Sequence, residues 1–217
     1  MSEAFRFYTE SSVPLSTPWR ADSLRSLLAG IERVGGSSIF YHFFHALRRR
    51  HFMTSEYKND FARWVALNFQ EPSLAERLAA TDPLEFGSVR ATRERLIDYL
   101  KAALGQSESS ARVRPGEEFH FVTLKSFVYP MSLEARDACE LAQGIENAGM
   151  GSLFYHFIEA RLRMGRPGND YSLWLRETFH EDRLAQDIHR LSPYVYSFPE
   201  LQAKIVGLIR NRCLDGQ

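Results

Sequence analysis

Much of this chain is written twice, and that repetition constrains its fold more than any other feature. Phe5, Phe7, Thr9 and Ser12 return as Phe119, Phe121, Thr123 and Ser126. Ala21, Leu27, Gly30, Ile31, Glu32 and Gly35 return as Ala135, Leu141, Gly144, Ile145, Glu146 and Gly149. The strongest block is SSIFYHF, from Ser37 to Phe43, against GSLFYHF, from Gly151 to Phe157. Matched positions differ by 114 up to this block (His42 against His156) and by 110 beyond it (Asn59 against Asn169). The second half is therefore four residues shorter at that point. After it, Asn59, Asp60, Trp64 and Phe69 match Asn169, Asp170, Trp174 and Phe179, and Pro83 matches Pro193. The identities fall in blocks, which reads as a tandem duplication. Each copy has the size of a small domain rather than of a solenoid unit.

The pattern divides the chain into residues 1–104, a first helical repeat, and residues 119–217, a second. Between them lies GQSESSARVRPGEE, residues 105–118. It is rich in Ser, Gly and Glu, has no apolar period, and reads as a linker. Within the repeats the apolar residues recur at helical spacing. Leu24, Leu27, Leu28, Ile31 and Val34 make one such stripe, closed by Gly35 or Gly36. Ser38 and Ser152 suit the N-cap of the next helix, and Asn59-Asp60 and Asn169-Asp170 open another. FRFYT and FHFVT alternate aromatic and polar residues but show no partner strand. The expected fold is all-α, with about four or five helices per repeat, the two packed with pseudo-two-fold symmetry.

Composition removes several function classes. The 217 residues carry 27 Lys+Arg and 27 Asp+Glu, and 44% are hydrophobic. That is too apolar and too neutral for a disordered chain. It lacks the basic excess of a dedicated nucleic-acid binder, so no nucleic-acid partner is expected. No uncharged apolar run is long enough to cross a bilayer, and Met1 to Glu10 lacks the apolar stretch of a signal peptide. Cys139 and Cys213 are the only cysteines, too few for a disulfide framework, which suits a reducing cytoplasm, and both read as structural residues. Together these features point to a cytoplasmic protein without a membrane partner. No GxGxxG, Walker, GxSxG or HExxH motif occurs, and no cofactor is expected.

Most matched pairs are core or caps, but His42/His156 stands apart. Residues three, four and seven apart share a helix face. One face reads Ser38, His42, His45 and Arg49, and its counterpart reads Ser152, His156, Glu159 and Arg163. The apolar stripe runs elsewhere. The matched Asp60 and Asp170, opening the following helix, come within reach of these histidines. The candidate polar site is thus Tyr41, His42, Arg49, Asn59 and Asp60, and in the second copy Tyr155, His156, Arg163, Asn169 and Asp170. Three roles compete for it: a structural His–Asp bond between helices, a ligand site with acid/base capacity, and a metal site. The metal reading would draw on His42, His45, Asp60, His156, Glu159 and Asp170, because i, i+3 pairs project ligands to one side. A fourth reading, a phosphate or RNA contact at Arg48-Arg49-Arg50-His51, rests on a short basic run alone.

The blocks Ser38-Ile39-Phe40-Tyr41-His42, Asn59-Asp60-Phe61 with Trp64, and Leu74-Ala75-Glu76 resemble an uncharacterised bacterial domain family. Its pattern is an aromatic-x-aromatic start, S-I-[FY]-Y-H, N-D-F-x-x-W and L-A-E-x-L. Ser152 to His156 and Asn169-Asp170-Tyr171 with Trp174 repeat it, departing at Gln186, where the first copy has Glu76. The resemblance implies domain boundaries and no activity. The leading expectation is a non-enzymatic helical module that binds a protein or a small ligand, with further self-association open. The second is a hydrolase or transferase using a His/Asp site in each repeat, with or without a metal.

Overall fold

A computed structural model describes residues 3–49, 57–106 and 111–215, without the side chains of residues 45–49, 106, 163–164 and 215. It overturns the all-α expectation. The described residues are mostly helical but include a two-stranded sheet. The strand content is two 17-residue strands, β1 (Phe5–Ala21) and β2 (Phe119–Ala135), hydrogen-bonded to each other as an antiparallel pair. FRFYT and FHFVT are the starts of these strands. Each lacked a visible partner because its partner is the other, more than a hundred residues away. Their alternation also fades beyond the first few residues, where Pro14, Pro18 and Pro130 interrupt it.

Helices follow each strand. After β1 come α1 (Leu24–Arg33), α2 (Gly36–Arg49), α3 (Asp60–Asn68), α4 (Pro72–Ala80), the one-turn α5 (Pro83–Phe86) and α6 (Val89–Gln106). After β2 come α7 (Ala138–Asn147), α8 (Gly149–Phe154), a π-helical turn (Tyr155–Glu159), α9 (Ala160–Met164), α10 (Asp170–Phe179), α11 (Asp182–His189) and α12 (Phe198–Asp215). Among the described residues no helix is long and apolar enough to cross a membrane.

The chain divides into two compact units, and the division runs through both strands. One, here the N-unit, is Ser12–Lys125. The other, the C-unit, joins Met1–Ser11 to Ser126–Gln217. Each unit therefore takes its helices from one half of the sequence and a short strand segment from the other half.

That segment completes each core. In the C-unit, Phe5 and Phe7 are buried and the intervening Arg6 is exposed, as strand alternation requires. The Phe5 ring lies 5.5 Å from Tyr171 and 5.6 Å from Trp174. In the N-unit, Phe119 lies 5.2 Å from Phe61 and 5.7 Å from Trp64. The second phenylalanine of each pair packs on a helix at a glycine. A Cβ at Gly30 would overlap the Phe121 ring, and one at Gly144 would overlap Phe7. The matched glycines of α1 and α7 are thus required by close approach, not by backbone conformation.

Two local expectations change. Ser38 and Ser152 are not N-caps: α2 starts at Gly36 and α8 at Gly149, so both serines lie inside helices and are fully buried. The two structural cysteines are joined to each other. Cys139 in the first turn of α7 and Cys213 near the end of α12 form a disulfide, with Cα atoms 6.0 Å apart. At the other end of this helix pair, Gln202 of α12 donates to the Ile145 carbonyl of α7 at 2.7 Å. The two helices run antiparallel, which brings together residues separated by 74 positions.

Candidate functional site

Asn59 and Asn169 are the N-caps that the sequence suggests. Asn59 Oδ1 accepts the Ala62 amide and Asn169 Oδ1 accepts the Ser172 amide, each at 2.9 Å. The cap places the next residue, Asp60 or Asp170, in the first turn of α3 or α10, where an anion is favoured by the helix dipole. From there the carboxylate reaches the histidine on the preceding helix. His42 Nδ1 lies 2.8 Å from Asp60 Oδ2, and His156 Nδ1 lies 2.8 Å from Asp170 Oδ2.

The other ring nitrogen is also engaged. His156 Nε2 accepts the backbone amide of Tyr8 at 2.9 Å, and His42 Nε2 accepts that of Val122 at 3.1 Å. An N–H donor fixes Nε2 as the unprotonated nitrogen, so Nδ1 carries the proton and donates it to the aspartate. Both imidazoles are buried, at 3% and 2% exposure, among the aromatic rings. His42 packs 4.7 Å from Phe119, and His156 packs 4.9 Å from Phe5. Each histidine joins three elements: its own helix, the next helix through the aspartate, and the strand segment through a backbone amide.

The two sites differ in their surroundings. In the C-unit the histidine lies on a π-helical turn, whereas in the N-unit α2 runs on as α-helix. Asp170 there has a second partner, Arg166 Nη1, 2.7 Å from Oδ1. Its side chain is 11% exposed, against 34% for Asp60. An open groove of about 810 Å³ lies beside it, lined by Tyr8, Tyr155, Arg166, Trp174 and Glu177 among others. The Tyr8 and Tyr155 rings lie 6.0 Å apart, and Trp174 Nε1 donates to the Glu3 carbonyl at 2.9 Å. Burial, and after it the carboxylates of Asp170 and Glu159, push the Tyr155 phenol above its ordinary value.

Of the residues singled out in sequence, the structure brings His42 to Asp60 and His156 to Asp170, with the asparagines as caps. Tyr41 packs edge-on against His42, 5.0 Å between rings, and Tyr155 does the same to His156 at 4.9 Å. The side chains of His45, Arg48, Arg49 and Arg163, and the residues Arg50 and His51, lie outside what the structure describes. Glu159 is buried at 1% exposure. Among the described residues no three His, Cys, Asp or Glu side chains come together as a metal site would require. Tyr8, Arg166 and Glu177 were not found in sequence. Their only signal is that Val122 and Leu67 stand where Tyr8 and Glu177 match the other half.

Each helical core thus holds a buried His–Asp pair tied to a segment of one strand of the antiparallel pair. The chain belongs to the family of unknown function DUF5752, whose profile matches residues 2–210. It is similar to a solved chain described as "The structure of OrfY from Thermoproteus tenax", with 31% sequence identity and a TM-score of 0.84. That likeness covers 96% of this chain and 95% of the other. No curated protein matches the chain.

Proposed function

We propose that this protein is a binding module whose histidines perform no chemistry, and that the groove of the C-unit holds a small ligand. The observation that carries this reading is the full engagement of both imidazoles. A general base needs an open ring nitrogen, and so does a metal ligand. Here Nδ1 donates to an aspartate and Nε2 accepts a strand amide. Either use would first break the bond that holds the strand segment in its core.

The groove supplies the binding surface. It offers the Tyr8 and Tyr155 rings for stacking, the Trp174 face, and polar groups of both signs in Arg166 and Glu177. Such a mixture of aromatic walls and a few polar groups is the usual lining of small-molecule sites. The Tyr155 hydroxyl stays protonated well into the alkaline range and remains a hydrogen-bond donor there.

The test is native mass spectrometry of the full chain purified gently from its host. The expected result is a noncovalent small-molecule adduct that disappears in Tyr155→Ala. The released molecule should be unchanged after prolonged incubation with excess protein. Its conversion to a product, with conversion abolished in His156→Gln, would overturn the non-enzymatic reading.

A further inference from the structure

A second recess in the C-unit lies between α10 and α11. It has a volume of about 370 Å³ and is lined by Gly168, Ser172, Arg176, Asp182, Gln186 and His189, with Pro167 and Ala185. We propose that this recess binds a small oxyanion, a phosphate or carboxylate group, with the Arg176 guanidinium as its main anchor and Gln186 and His189 as further donors.

Four observations support the site. First, Arg176 has no carboxylate within ion-pair distance among the described residues. Asp182 is the one acidic side chain in the lining. Second, the floor is kept open by a glycine. A Cβ at Gly168 would stand 3.0 Å from Ser172 Oγ and 3.5 Å from His189 Nδ1. Third, the adjacent Asn169 is fully buried, and its Nδ2 has no acceptor among the described residues. The matching Asn59 Nδ2 donates to the Leu78 carbonyl at 2.8 Å. Asn169 lies behind the lining rather than in it, so this donor marks where the two units differ beside the recess and not a contact to the anion.

Fourth, the polar set occurs in one half only. Ser172, Arg176, Gln186 and His189 match Ala62, Ala66, Glu76 and Ala79, and Gly168 matches Lys58. Framework positions around them, Asn169, Trp174, Leu184 and Ala185, match Asn59, Trp64, Leu74 and Ala75 unchanged. The electrostatics agree in sign. Burial, then the guanidinium groups of Arg161 and Arg176, hold the His189 imidazole below its ordinary value. A bound anion would oppose those cations and draw a proton onto the ring, turning His189 from a bystander into a second charged donor.

The experiment is a titration of the full chain with inorganic phosphate at constant ionic strength, followed by the His189 ring signals in NMR. The expected result is a saturable shift toward the protonated imidazole. In Arg176→Ala the affinity should fall by roughly tenfold or more, the scale of one charge-assisted hydrogen bond. Gly168→Ala, which fills the floor, should weaken binding in the same direction. Acetate in place of phosphate distinguishes a carboxylate site from a phosphate site. Arg176 is exposed on a helix, so alanine there should leave the melting temperature close to that of the parent. If the variant melts lower, Arg176→Gln serves as the same test. No saturable shift with either anion, or an unchanged affinity in the Arg176 and Gly168 variants, would overturn the proposal.

Discussion

The His156 imidazole accepts the backbone amide of Tyr8 at 2.9 Å, across 148 residues of chain. His42 does the same for Val122 across 80 residues. These are the links that tie each strand segment to helices from the other half of the sequence, and their loss has definite consequences.

Replacing either histidine by alanine removes one side chain and leaves a strand amide without its acceptor and an aspartate without its histidine, although Asp170 keeps Arg166. A buried donor deprived of its acceptor costs about 1–3 kcal/mol. His42→Ala and His156→Ala should each lower the stability in urea by about 2–4 kcal/mol, packing loss included. The ring 15N spectrum provides a sharper check. Both histidines should show the Nδ1-protonated tautomer, and an Nε2-protonated ring at either site would contradict the geometry.

The two close-packed glycines should be intolerant of a single methyl. Gly30→Ala and Gly144→Ala push a Cβ into the Phe121 and Phe7 rings. Overpacking of this kind costs about 1–3 kcal/mol. Gly36→Ala is the control, because its Cβ would meet Val89 at an ordinary 3.5 Å. Equal melting temperatures for all three variants would argue against the strand placement.

Reducing the Cys139–Cys213 bond should destabilise the C-unit. A crosslink closing so long a loop contributes typically about 2–4 kcal/mol, mainly by restricting the unfolded chain. Thermal melts with and without reductant, beside Cys139→Ser, measure this. Two reactive thiols in the untreated protein would show that the bond is not formed.

Tyr171 offers a test in alkali. It is fully buried, and burial followed by the Asp170 charge drives its phenol far above 10.0, opposed only in part by the neighbouring Ser152 hydroxyl. A folded value raised above the unfolded one gives stability that is complete below the ordinary value of 10.0 and is lost as the pH climbs beyond it. Tyr171→Phe removes the titrating group, and phenylalanine is already present at the matching Phe61. The variant should equal or exceed the parent in stability at neutral pH and should lose less between pH 10 and 11.

The His–Asp proximity was legible because both partners are side chains that recur together: Ser38 to His42 with Asn59-Asp60, and Ser152 to His156 with Asn169-Asp170. The third member of the pin was not. It is a backbone amide, at Tyr8 or Val122, and a backbone donor has no residue identity for a sequence to display. The strands escaped for a related reason. Phe5-x-Phe7 and Phe119-x-Phe121 showed the right alternation, yet pairing is decided by a partner far along the chain. Pro14, Pro18 and Pro130 then hid the remaining length of β1 and β2. The disulfide was hidden in the same way, since Cys139 and Cys213 meet only through the antiparallel packing of α7 and α12. The oxyanion recess left a trace of another kind. Arg176 and His189 stand where the other half has Ala66 and Ala79, and only a comparison between halves makes them stand out.

The division of β1 bears on how the protein is born. Phe5 and Phe7 are synthesised well before the helices, beginning at Ala138, that build the cavity they fill. Until those are synthesised, these two large aromatic side chains have no native shelter. The helices from Leu24 to Gln106 wait in turn for Phe119 and Phe121. Translation paused near residue 104 would leave a nascent chain in which neither core is closed, holding it open to chaperones and proteases until the second half arrives.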